Sequence, residues 1–523
     1  MIRGVTCGPV QGSARVILEG KAKQHHSVKM NIHFVALSCC LILIFNYQFL
    51  TRVAADDRKT TSELIKSRGF NVDEMEVISQ NYPLKIYRII NPLADPKQLH
   101  SIPIVMAHGI SFDQVNMMAS SKNARPRKPR INERVTLYAM ENGTDDRSLQ
   151  FYLSNNNYDV WMIESRATNA QTRRRIDKWS KDDKGFWDFS IDEQALIDLP
   201  LQIEYVLHKT GAPKVSYIAY SQSTTFMFAL LSMRPDFSEK LTCFVALAPV
   251  VFTSHLRGLV WPTSIARIYL YPTTAIESVP EWLRKPTNFL TTYMCSISFI
   301  KYTLCRFLWK QFSGRDKNAH LDGGMTENVL KSTSMKTFEQ YIQNAMAHDF
   351  RMFDYKDETR NMEEYGQTVP PAYNVSKVNL RTIILYRGTN DYLSDPEDQM
   401  ILLSRLKVPL YEDHILEDYS HIDFLVSPTV TRDVNEPILK ALDTINKRPV
   451  VRISHTLGQP NPQVIGTPLT LDAAKEQELS RPDTRSMVSG GGITTNQLGP
   501  NQGPRGGVLE QADAKSVQQE LKS

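Results

Sequence analysis

The sequence predicts an α/β fold with a mostly parallel central sheet and a helical cap inserted between late strands. Three observations predict it: short apolar runs recur along residues 56–447, helical stretches separate them, and one long segment breaks that rhythm. The runs are 101–107 (SIPIVMA), 158–163 (YDVWMI), 214–220 (KVSYIAY), 243–248 (CFVALA) and 381–386 (RTIILY). They are bounded by turn signals and show no clear alternation, which suits strands buried on both faces of a parallel sheet. Between them, 190–209, 224–233 and 397–406 read as helices, and such alternation argues for an α/β sheet. Residues 253–370 are largely helical and rich in aromatics, an all-helical insertion over the sheet. The core is therefore expected in two parts, 56–252 and 371–447, with the cap between them.

The ends differ. Residues 31–51 carry no charge at neutral pH, with an apolar heart at 34–45 (FVALSCCLILIF), Lys21, Lys23 and Lys29 before it and Val53-Ala54-Ala55 after it. A basic region, an apolar region and a small-residue site in that order read as a secretory signal, too short for a comfortable membrane span. Residues 1–55 are thus an N-terminal extension plus signal peptide, with Met30 a candidate start, or a cytosolic tail plus an uncleaved single-pass anchor. Either way the bulk of the chain faces the lumen or the outside. Sequons at Asn142 and Asn374 fit surface glycosylation. Residues 448–523, rich in Gly and Pro and poor in aromatics, read as a disordered tail.

Composition narrows the classes. With 41% hydrophobic and 22% charged residues, the chain is neither wholly disordered nor a multi-span membrane protein. A net charge of +5 is too small to argue for a nucleic-acid partner, and the basic run 122–134 (KNARPRKPRINER) reads as a solvated insertion. No zinc spacing, P-loop or dinucleotide fingerprint occurs, so no cofactor or metal is implied. Of six cysteines, Cys243, Cys295 and Cys305 fall in the mature part. Cys295 and Cys305 could pair and leave Cys243 a buried free thiol, or all three could be unpaired.

The chemistry centres on Ala219-Tyr220-Ser221-Gln222-Ser223, between a predicted strand and a predicted helix. A serine there is a nucleophile elbow: the tight turn presents Oγ, and the helix N-terminus favours the anion formed on attack. The usual G-x-S-x-G has lost both glycines, which predicts a more crowded turn. An α/β-hydrolase requires an acid and a histidine later in the chain, and Asp391 and His421 follow in that order. His421 would take and return the Ser221 proton while Asp391 orients the ring. Asp391 could instead cap the helix after Pro396, a role equally open to Asp395. After the first run, the backbone N–H of Ile110 can join that of Gln222 as an oxyanion hole, and His108 reads as structural.

With these motifs the chain resembles the acid lipase family of α/β-hydrolases over about residues 61–447. The blocks that carry the resemblance include IPIVMAHGI, YDVWMIESR, FWDFSIDEQALIDLP, VSYIAYSQST, GTNDYLSDPED and YSHIDFL. The resemblance implies a Ser221, Asp391, His421 triad, oxyanion donors at Ile110 and Gln222, and a Cys295–Cys305 disulfide in the cap. It also implies hydrolysis of triacylglycerol or cholesteryl esters at a lipid–water interface, in a secreted or lysosomal protein that contacts lipid surfaces peripherally. The aromatic segment 289–312 would supply the acyl-binding surface. The chain departs from the pattern: G-H-S-Q-G is Ala219 to Ser223, N-S-R-G-N is Glu164-Ser165-Arg166-Ala167-Thr168, and an early D-G-Y is missing from residues 79–83. Those departures keep an alternative in view, a weak or inactive lipase-like protein that binds lipid on the same fold.

Overall fold

The computed structural model describes residues 59–128 (except 119 and 122), 147–168, 185–258, 276–278, 295, 297–314 and 331–446. The signal segment, Asn142, most of the cap segment before residue 295 and the C-terminal tail lie outside these residues. Among the described residues, no helix is long and apolar enough to cross a membrane.

Eight strands form one sheet in the order β1-β2-β4-β3-β5-β6-β7-β8. They are β1 (Asn71–Ser79), β2 (Tyr82–Ile90), β3 (Ile104–Ala107), β4 (Val160–Ile163), β5 (Val215–Tyr220), β6 (Leu241–Leu247), β7 (Ile383–Gly388) and β8 (Glu412–Leu416). The β1–β2 and β2–β4 pairs are antiparallel; every other pair is parallel. Side chains alternate between two buried clusters, one on each face. On β3, Val105 and Ala107 join one, and Ile104 and Met106 the other. Helices cover both faces, which is why β3 to β7 are apolar on both sides and carry no strand alternation in the sequence.

All five predicted strands are present, with ends shifted by a few residues. Two features departed from expectation. The antiparallel β1–β2 hairpin was not anticipated: β1 is half exposed and acidic, and its turn uses Gln80 and Asn81 at φ +46° and +68° in place of glycine. Edge strand β8 (EDHIL) is also half exposed, so no apolar run marks it.

The predicted helix 190–209 is divided. Ile191–Glu193 passes through a π-turn, Gln194–Asp198, into α1 (Leu199–Thr210). Pro200 at the start of α1 has no N–H to return to the preceding turn, so the wider turn falls there. Helix α2 (Gln222–Met233) begins two residues earlier than expected, directly on the elbow. The helical elements described between β6 and β7 include Ser298–Ile300, a π-turn Lys301–Cys305, α3 (Arg306–Ser313), α4 (Met335–Ala347) and Glu358–Tyr365. Helix α5 (Pro396–Arg405) follows β7, and Asp395 caps it by accepting from Glu397 N–H at 2.9 Å. That leaves Asp391 available for another task.

The described start of the basic segment is an irregular loop with Asn123, Arg125 and Lys128 exposed, and its backbone is tied to the fold. Ala124 is buried, Asn155 Oδ1 accepts from Arg127 N–H at 3.0 Å, and the Asn155 side-chain amide donates to the Arg125 carbonyl at 3.1 Å. Cys295 and Cys305 are disulfide-bonded and Cys243 is a buried free thiol.

Candidate active site

Ser221 stands between β5 and α2 with φ +57° and ψ −119°, a conformation a residue with a Cβ adopts at a cost. Its N–H is held by the Leu247 carbonyl at 3.0 Å. The strained turn brings the side chain off the strand end, where His421 Nε2 lies 2.8 Å from Ser221 Oγ. On the far side of the ring, Nδ1 lies 2.8 and 3.0 Å from the two Asp391 carboxylate oxygens. All three side chains are buried. The fold thus gathers residues from the ends of β5 and β7 and from the loop after β8, 200 positions apart in the case of Ser221 and His421.

Each member is fixed from behind. Asp391 Oδ1 accepts the N–H groups of Leu393 and Ser394 at 2.9 and 2.8 Å. His421 N–H donates to the Ser313 carbonyl at 2.8 Å, and Gly314 bridges to Asp391, so the end of α3 is pinned to both loops. The His421 carbonyl accepts the Tyr220 hydroxyl at 2.9 Å, and the two rings lie 5.2 Å apart. Tyr220, where the acid lipase pattern has histidine, therefore ties the nucleophile strand to the histidine loop.

The second lost glycine is replaced by a working side chain. Ser223 Oγ accepts Tyr220 N–H at 2.9 Å and lies 3.0 and 3.1 Å from the carbonyls of Tyr220 and Ala107. The crowding expected of serine here is taken up as hydrogen bonds that bracket Ser221. Gly109, on the turn after β3, approaches so closely that a Cβ would sit 3.1 Å from Ser221 Cβ and from the Tyr220 ring. Ile110 follows it beside the elbow. Gln222 opens α2, so its N–H has no acceptor within the helix. Among the remaining site residues, Asn374 is exposed, and its Oδ1 accepts the Ser376 hydroxyl at 2.6 Å.

Sequence reasoning missed the roles of Tyr220, Ser223 and the acids of the FSIDEQALID block. Buried Asp198 pairs with buried Arg166 at 2.5 Å, and the guanidinium lies over the Tyr82 ring. Asp192 accepts from Gln340 at 2.5 Å, Tyr373 at 2.6 Å and Phe353 N–H at 2.9 Å, joining the π-turn region to α4 and the segment after it. The one available signal was that these positions depart from, or distinguish, the family pattern.

Strand order and the strained serine turn together define an α/β-hydrolase. No protein-family model matches the sequence. Human lipase member M is 31% identical over 375 residues, covering 70% of this chain and 81% of that protein. Rat gastric triacylglycerol lipase is 29% identical, covering 72% and 90%. Lysosomal acid lipase/cholesteryl ester hydrolase of Macaca fascicularis is 28% identical, covering 76% and 95%. The chain belongs to the acid lipase family. A solved monoglyceride lipase variant from Saccharomyces cerevisiae aligns at 12% identity and TM-score 0.39, over 71% of this chain and 96% of that one; the strand order, not this likeness, carries the fold.

Proposed function

We propose that this chain is a serine hydrolase of the secretory pathway that cleaves acyl esters of neutral lipids, of the triacylglycerol or cholesteryl ester type. One observation carries it: His421 Nε2 is 2.8 Å from Ser221 Oγ while Nδ1 is 2.8 Å from Asp391. With Nδ1–H donated to Asp391, Nε2 keeps a lone pair for the serine proton. Ser221 Oγ attacks the ester carbonyl as His421 takes the proton, and the tetrahedral oxyanion forms beside the N–H groups of Ile110 and Gln222. His421 then gives the proton to the departing alcohol, leaving an acyl-Ser221 ester. A water molecule, deprotonated by the same ring, attacks that ester, releases the fatty acid and restores Ser221. The aligned geometry weighs against the alternative of an idle lipid-binding protein.

In this proposal residues 56–252 and 371–447 form the catalytic core, 253–370 form the cap, 1–55 address the chain to the secretory pathway, and 448–523 form a tail. The lipid surface would be met at the cap. Phe299 is 77% and Phe307 57% exposed, with Leu304, Leu308 and Phe312 also exposed and Arg306 and Lys310 among them. An apolar stripe with basic residues suits peripheral contact with lipid. Asn142 and Asn374 would carry glycans.

The test is labelling of the secreted protein with a fluorophosphonate, paired with hydrolysis of short and long acyl esters. Wild type should label and hydrolyse, and Ser221→Ala should do neither. A folded wild type that does not label would refute the hydrolase reading.

A further inference from the structure

Behind the oxyanion turn lies a buried pair that the reaction above leaves unused. His108 follows β3, Glu164 follows β4, and neither side chain reaches solvent. His108 Nδ1 is 2.9 Å from the Gly109 carbonyl oxygen; a carbonyl only accepts, so Nδ1 carries a proton there. His108 Nε2 accepts the Ser165 N–H at 3.0 Å and lies 3.2 Å from Glu164 Oε2, so any proton between ring and carboxyl is borne by Glu164. Glu164 Oε1 accepts from Gln114 N–H at 3.2 Å and the Thr61 hydroxyl at 3.3 Å, whereas among the described residues no hydrogen-bond donor reaches buried Oε2. An imidazole lone pair and a carboxylate lone pair would repel at that separation in a buried site, so a proton belongs between them.

The Gly109 carbonyl and the Ile110 N–H belong to one planar trans peptide and point in opposite directions. A hydrogen bond that fixes the oxygen therefore aims the N–H. It also polarises the peptide, which strengthens that N–H as a donor.

We propose that His108 and Glu164 are positioning residues for the oxyanion hole: Glu164 keeps a proton on the pair, the ring grips the Gly109 carbonyl, and the Ile110 N–H is thereby aimed at the ester oxygen. The proposal rests on the hydrolase reading. Glu164 stands where the acid lipase pattern has asparagine, whose amide donates without titrating. With a carboxyl at this position the same grip depends on a proton, and it weakens when that proton leaves at high pH. Burial is the main reason the Glu164 carboxyl is held above its ordinary range. Burial alone would lower His108, but its hydrogen bond to Glu164 and the charge there outweigh it. The other ionisable groups facing the pair favour retention as well: Asp113, paired with Lys331 at 2.8 Å, adds negative charge, and Tyr87 on β2 is neutral, its pKa raised by burial. Glu74, beyond Tyr87, is bridged to Lys85 at 3.1 Å.

The test measures kcat and KM of the full-length secreted protein for a soluble p-nitrophenyl ester from about pH 5 to about pH 10. His108→Leu should lower kcat about 30-fold with KM nearly constant, less than the loss of an oxyanion donor outright. His108→Asn, whose amide N–H can occupy the Nδ1 place, should recover most of that loss. Wild-type kcat should decline on the alkaline side, and Glu164→Gln should abolish the decline. Equal losses in the Leu and Asn variants, or an alkaline profile shared by wild type and Glu164→Gln, would overturn the proposal. Should His108→Leu not fold, the two near-isosteric variants decide the matter. A wild type inert to fluorophosphonate would instead refute the hydrolase reading.

Discussion

Returning glycine to position 223 tests how this elbow is held. The family pattern has glycine there, and relief of crowding would predict a faster enzyme from Ser223→Gly. The contacts predict the opposite sign. Ser223 is buried, its Oγ accepts Tyr220 N–H at 2.9 Å, and it lies 3.0 and 3.1 Å from two carbonyls, which are bonding and not clashing distances. Removing the hydroxyl leaves a buried N–H without that acceptor, at about 1–3 kcal/mol. Glycine in the first turn of α2 adds about 0.5 kcal/mol over serine. The bonds also span Ser221, whose conformation stores on the order of 1–3 kcal/mol that its neighbours must hold in place. Loss of about 2–3 kcal/mol is expected, with a melting point lower by several degrees. A loosened nucleophile should also lower kcat by about tenfold. Thermal unfolding, fluorophosphonate labelling rate and ester turnover would be measured together, with Ser223→Ala as the control that keeps helix propensity and loses only the oxygen. An unchanged or raised melting point with faster turnover in Ser223→Gly would refute the argument.

Two further predictions rest on single residues. Ala167 is buried at φ +58°, where the family pattern has glycine, so Ala167→Gly should stabilise the protein by about 1 kcal/mol; a lower melting point would show that its methyl packing outweighs the backbone strain. Burial, and then the neighbouring Glu193 charge, push the Asp192 carboxyl up to about 6. Because that value lies above the unfolded one, its contribution to stability is fully present below the unfolded pKa and is lost as pH rises through about 6. Acidification from neutral pH should therefore add up to roughly 3 kcal/mol to wild type relative to Asp192→Asn. Melting curves of the two proteins at several pH values check this, and parallel curves would rule it out.

The sheet core was legible, and the proposed triad could be named, because both rest on local signals. Buried strands leave apolar runs, and the serine, acid and histidine each follow such a run or its loop in a fixed order. The β1–β2 hairpin and β8 were not legible, because half-exposed strands mix charge into their alternation and a turn of Gln80 and Asn81 carries no glycine. The order of residues pointed to Asp391 as the acid but left it open as a helix cap; that role is filled by Asp395, and Asp391 faces His421.

The departures from the family pattern were visible as letters but not as effects, since each depends on a partner distant in the chain. Tyr220 acts on the carbonyl of His421, Ser223 on Ala107, and Glu164 on His108. The same loss of glycine has opposite physical meaning at two positions. At 167 the backbone is left-handed and alanine carries strain; at 223 it is helical and serine adds bonds that glycine cannot make. An eroding site would strand these buried polar side chains, at about 1–3 kcal/mol each. Here each of the three substituted polar residues meets a group of the nucleophile turn, the histidine loop or the oxyanion turn, and that pattern is what a rebuilt working site requires.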